Sequence, residues 1–99
     1  MLEAVYEQAL CVELTRRSIP FDRQPTVALS YKGEPVGHGR LDLLVGGCVV
    51  VELKAVETLL PVHQAQVLSY LKAAGYRLGL LVNFNVPLLR DGVKRLVSG

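Results

Sequence analysis

Apolar residues recur at helical spacing from the start of the chain. Leu2, Val5, Tyr6, Ala9, Leu10 and Leu14 share one stripe over residues 2–17, with Glu3, Glu7 and Glu13 off it. Arg16 and Arg17 fall in the last turn, where positive charge suits the helix dipole. Ser18-Ile19-Pro20 ends the helix, because the residue before proline is pushed out of the α region. From Phe21 the pattern turns to strand: Val27, Leu29 and Tyr31 alternate with Thr26, Ala28 and Ser30, and Lys32-Gly33-Glu34-Pro35 reads as a turn. A second strand is expected from Val36 to Val45, weakened in its first half by Gly37 and Gly39 and followed by a hairpin turn at Gly46-Gly47. The third strand, Cys48 to Lys54, opens with Val49-Val50-Val51, and such a β-branched run predicts a central strand covered on both faces.

Leu60-Pro61 starts a second helix, since proline is tolerated at the first helical position, and Gly75 stops it after Ala74. A fourth strand follows from Leu78 to Phe84, then a loop over Asn85–Leu89 and a short final helix from Arg90 to Val97. The order α-β-β-β-α-β-α predicts an α/β fold: a four-stranded mixed sheet flanked by helices. Length and composition narrow this picture. The 99 residues suit one domain spanning the chain. An apolar content of 51 % excludes intrinsic disorder, and a net charge of +2 excludes a strongly basic nucleic-acid coat. No run approaches the about 20 apolar residues of a membrane span. Cys11 and Cys48 have neither disulfide-framework nor zinc-ligand spacing, and read as two buried thiols in a reducing, cytoplasmic setting.

The chemistry gathers at the end of the third strand. Glu52 and Lys54 stand two apart, so they project from the same face of a strand whose other residues are apolar. On that motif alone, a solvated strand end with a weak ion pair is the simpler explanation. Asp42 changes the balance, because it interrupts an apolar strand one hairpin arm away. A two-residue turn at Gly46-Gly47 sends Asp42 and Glu52 to opposite faces. A three-residue loop, Val45-Gly46-Gly47, pairs Leu44 with Cys48 and sets Asp42 diagonal to Glu52 on a shared face. Two carboxylates that close repel unless protonated or bridged, and oxygen-only ligands suit Mg²⁺ or Mn²⁺ rather than zinc. Lys54 supplies a point charge for an attacking water or a pentacovalent phosphate. Asp…Glu-x-Lys is in these terms a metal-dependent phosphodiesterase constellation.

These residues resemble the PD-(D/E)XK nuclease superfamily. Glu3-x-x-Tyr6, the Asp42 strand, Val51-Glu52-Leu53-Lys54-Ala55-Val56, His63-Gln64-Ala65-Gln66 leading into Tyr70-Leu71-Lys72, and Gly79-Leu80-Leu81-Val82-Asn83-Phe84 are together similar to its GxxExxY family, grouped with RecB-like nucleases. The resemblance spans essentially the whole chain. It implies a restriction-endonuclease-like αβββαβ core. It also implies Asp42 and Glu52 as metal ligands, Glu3 as the first-helix acid completing the metal site, and Lys54 as the catalytic lysine. Gln66 and Tyr70 match a Gln-x-x-x-Tyr motif. They share a helix face, with His63 three residues before Gln66, and this polar ridge is expected opposite Val62, Leu68 and Leu71. An ordinary wet helix face is the alternative for that ridge. The family's glycine before the glutamate has no counterpart here, so a missing N-terminal segment is expected, and with it a homodimer that covers exposed apolar surface.

Arg40 is the basic residue nearest the motif, and with His63 and Tyr70 it is expected to touch substrate. No stripe of interleaved aromatics supports reading of base sequence. The expected function is a Mg²⁺- or Mn²⁺-dependent nuclease acting on nucleic acid, DNA above all, with little sequence preference. The alternative is a non-catalytic nucleic-acid-binding or accessory module on the same fold.

Overall fold

The computed structural model describes residues 2–99. Helix α1 (Leu2–Arg16) leads into β1 (Phe21–Arg23), β2 (Thr26–Tyr31), β3 (Glu34–Arg40), β4 (Leu43–Val45) and β5 (Val49–Lys54). Helix α2 (Pro61–Ala74), β6 (Leu78–Asn83), a 3-10 turn (Leu89–Gly92) and β7 (Val93–Val97) complete the chain. A five-stranded mixed sheet runs β1-β4-β5-β6-β7, and β2 and β3 form a separate two-stranded hairpin. Only β5 and β6 are parallel, joined by α2 as the crossover; the other pairs are antiparallel. The sheet is thus mixed and flanked by helices as expected, but it has five strands rather than four.

The valine run of β5 lies at the centre of this sheet and is covered on both faces. Leu41, Leu44, Val50, Val67, Leu71, Leu81 and Leu96 pack beneath α2, while Cys11, Leu43, Val51, Leu53 and Val82 pack beneath α1. Helix α2 ends where Gly75 adopts the left-handed conformation (φ 81°), and its main-chain N–H bonds back to the Leu71 carbonyl. At the other end His63 caps its own helix: its Nδ1 accepts from the Leu60 N–H at 2.9 Å, and its N–H donates to the Leu60 carbonyl at 3.0 Å. Leu71 is wholly buried, and its methyls sit where a Cβ on Gly79 would be 3.1 and 3.2 Å away, so helix and strand approach closely there. Leu71→Ala should therefore cost about 2–5 kcal/mol, lowering the urea midpoint with an unchanged slope.

Five expectations are corrected. The final segment is a strand, not a helix: Val93–Val97 pairs antiparallel with β6. Residues 36–45 are two strands broken at Leu41-Asp42, and Phe21–Arg23 is an edge strand of its own. On α1 the stripe is displaced: Leu2 and Val5 are 55 % and 64 % exposed, whereas Glu7 is buried at 5 %. On α2, Val62 and Leu68 are exposed, and the packed face is Val67 and Leu71 with half-buried Tyr70 beside them, so the polar ridge flanks the core side instead of opposing it. Cys48 is an exposed free thiol on the β4–β5 turn, and only Cys11 is buried.

Candidate active site

The β4–β5 hairpin decides whether two carboxylates meet. Its register is neither of the two expected from the sequence. Val45 pairs with Val49, Leu44 with Val50 and Leu43 with Val51. Gly46 and Gly47 both have positive φ (61° and 72°), the primed turn geometry that glycine permits, and Cys48 N–H closes the turn on the Val45 carbonyl at 3.2 Å. Cys48 is therefore the extra residue, and the pairing continued by one step sets Asp42 directly opposite Glu52.

At that step the ladder gives way to side chains. Leu41 and Leu44, three apart, both lie in the cluster beneath α2, so strand alternation breaks at Asp42. The Asp42 N–H donates to Glu52 Oε1 at 3.1 Å, and the Leu53 N–H donates to Asp42 Oδ2 at 2.7 Å. Burial, then the neighbouring Asp42 charge, pushes the Glu52 carboxyl up from 4.5 to about 7, opposed by the Asp42 N–H and by the Lys54 ammonium. Two crowded carboxylates, one pushed toward the neutral form by burial and by its neighbour's charge, are an oxygen donor set that a divalent cation would relieve.

Glu52 and Lys54 line a cavity of about 590 Å³ with Leu29, His63, Gln66 and Tyr70. It lies between α2, the end of β5 and Leu29 of β2. His63 thus borders the cavity while its Nδ1 is engaged in capping α2. Tyr70 Oη donates to the Arg40 carbonyl at 3.3 Å; burial, then the Glu52 charge, raises its phenol above the usual range. The Arg40 side chain is exposed. Asp42 lines a second cavity of about 320 Å³ with Glu3, Glu7, Arg23 and Gln24. Glu3 shares that space with Asp42, yet among the described residues no three His, Cys, Asp or Glu side chains form a metal-binding group. The acidic centre is a pair.

Three supporting residues escaped the sequence reading. Buried Glu7 accepts from Arg23 Nε at 2.7 Å and Gln24 Nε2 at 3.2 Å, and Gln24 N–H donates to the Asp42 carbonyl at 2.8 Å, so α1 braces the strand break. Gly39 makes room for the Tyr70 ring, which a Cβ there would overlap. Asn83, 2 % exposed, bonds the main chain just beyond Lys54. A lone polar residue in an apolar strand was the available signal for Asn83. Glu7 and Gly39 offered none, because their partners are distant in sequence.

No curated protein matches the sequence significantly. Two solved structures share the fold. One is the crystal structure of SSO0001, with TM-score 0.73 and 18 % identity over 98 % of this chain and 51 % of that one. The other is an alkaline exonuclease, LHK-Exo, from Laribacter hongkongensis, with TM-score 0.64 and 14 % identity over 97 % of this chain and 56 % of that one. This chain spans about half the length of each. No helix among the described residues is long and apolar enough to cross a membrane. The sequence itself matches the PD-(D/E)XK nuclease superfamily over residues 1–96, a group whose members generally use divalent metal ions, and the chain belongs to that superfamily.

Proposed function

We propose that residues 1–99 form one nuclease domain that hydrolyses phosphodiester bonds in DNA, using Mg²⁺ or Mn²⁺ and reading little sequence. The bond between Asp42 and Glu52, together with the cavity that Glu52 shares with Lys54, carries this reading. Asp42 and Glu52 would hold the ion; when bound, it would offset phosphate charge and lower the pKa of a bound water. Lys54 sets a positive charge beside Glu52, placed to stabilise negative charge that develops on the phosphate. Gln66, with its amide on the cavity wall, is placed to orient water or a phosphate oxygen. His63, Tyr70 and Arg40 border the strand's path, and Glu3 approaches from the Asp42 side as the outermost acid. Lys54 is the cation among the cavity's lining residues, and no aromatic stripe for stacking bases lines it, which fits little sequence selection. Exposed Leu2, Val5 and Val12 on α1 support self-association as a homodimer, and two unbridged thiols support a cytoplasmic setting.

The test is incubation of the pure protein with linear single- and double-stranded DNA and RNA in Mg²⁺ or Mn²⁺. DNA cleavage is expected, lost by at least about 100-fold in Lys54→Met and Asp42→Asn. Binding of nucleic acid without cleavage under every condition would instead favour the accessory-module reading, for which the two-carboxylate centre is the relevant observation.

A further inference from the structure

Asn83 ends β6 opposite Lys54 in the parallel register. Its buried side-chain amide makes two bonds to one residue of the neighbouring strand's exit, and its Oδ1 also accepts from the Asn85 N–H at 3.4 Å. Oδ1 accepts from the Val56 N–H at 3.0 Å, and Nδ2 donates to the Val56 carbonyl at 2.9 Å. One residue further on, the Phe84 N–H donates to the Lys54 carbonyl at 2.9 Å. The main chain on both sides of Ala55 is thereby held by the end of β6. The side chain continues the β5–β6 ladder after the backbones have parted.

The main-chain ladder runs on as far as the Phe84 N–H, and at Val56 the Asn83 side chain takes its place. The amide lets β6 turn away while β5 stays fixed to Val56. Lys54 is a flexible side chain whose usefulness depends on where its Cα is anchored, and losing rotamer freedom at an unanchored lysine costs more than at an anchored one. We propose that Asn83 is a positioning residue for Lys54: by clamping Val56 it fixes the strand exit, so that the lysine enters the cavity beside Glu52. This rests on the nuclease reading only for its effect on rate. The clamp itself is a property of the fold.

The experiment compares Asn83→Ala with Leu96→Ala, a core control whose side chain does not line the cavity, at a temperature where both are folded. Two readouts are taken. Amine-reactive labelling of Lys54, quantified by peptide mass, together with hydrogen exchange at the Val56 amide, reports the clamp without needing activity. Steady-state cleavage reports its consequence. Expected for Asn83→Ala are faster Val56 exchange, at least a twofold change in Lys54 labelling, and a kcat lowered at least about tenfold with KM within twofold. Leu96→Ala should change none of these. Unchanged labelling and exchange in Asn83→Ala, or a loss of kcat no larger than the control's, would overturn the proposal while leaving a nuclease in place. Altered labelling and exchange in Asn83→Ala, alongside a wild-type protein that cuts nothing, would keep the clamp and remove the nuclease reading. Should Asn83→Ala not fold, Asn83→Asp retains the acceptor for the Val56 N–H, loses the donor to its carbonyl, and is read in the same way.

Discussion

Replacing Glu52 with glutamine should stabilise the cation-free protein at pH 8 while abolishing cleavage. The reason lies in the two pKa values. The carboxyl titrates near 4.5 when unfolded and at about 7 when folded, so between those values the folded state holds more protons. Stability must then fall as pH rises from about 4.5 to about 7, and stay at the lower level above. The glutamine variant keeps an acceptor for the Asp42 N–H but carries no charge, so it escapes that fall. The full shift corresponds to about 3 kcal/mol, and partial exposure of the group reduces it to on the order of 2 kcal/mol. For a domain of this size that is a rise of roughly 10 °C in Tm at pH 8, shrinking to nothing by pH 4. Mg²⁺ should raise the wild-type Tm at pH 8 and leave Glu52→Gln unmoved. Thermal scans from pH 4 to pH 9, with and without the cation, settle the matter; a variant less stable than wild type at pH 8 would refute the electrostatic account.

The second large effect is steric. A methyl group added at Gly39 would overlap the Tyr70 ring and come within 3.2 Å of Leu29 Cδ1. Tyr70 is held in place by its bond to the adjacent Arg40 carbonyl and by packing against the core cluster. Gly39→Ala should therefore cost about 1–3 kcal/mol and distort the cleft wall to which Leu29 and Tyr70 both contribute. Truncating the ring removes the clash. Gly39→Ala should then cost almost nothing in a Tyr70→Ala background, and a double-mutant cycle should return a coupling comparable to the single-site cost. Simple additivity in denaturant titrations would show that the hairpin relaxes away from the helix instead.

Local chemistry was legible wherever a single residue type decides the conformation. Pro61 and Gly75 bound α2 as read from the sequence, and the Val49–Val51 run marked the central strand. Misreadings came where a partner distant in sequence decides. Glu7 looks like a surface acid on α1 until Arg23, sixteen residues on, comes to pair with it. In β7, Val93 and Leu96 stand three apart and mimic a helix, because an edge strand with exposed Lys94 and Arg95 need not alternate strictly. The hairpin register turned on which residue the turn would extrude, and two adjacent glycines permit more than one answer. Asp42 and Glu52 came together all the same, through the bond from the Asp42 N–H to the Glu52 carboxylate at the strand break.

Asp42 and Glu52 lie only ten residues apart, within one hairpin. Their meeting requires closure of a short loop, whereas Asn83 must travel in from the far side of the α2 crossover. The acidic pair is therefore available early on the folding path, and its mutual repulsion burdens the hairpin from that moment. On the proposed function, a divalent cation would relieve that burden at the same stage and so would act as a folding partner as well. Its presence during refolding should matter to the rate as well as to the final balance.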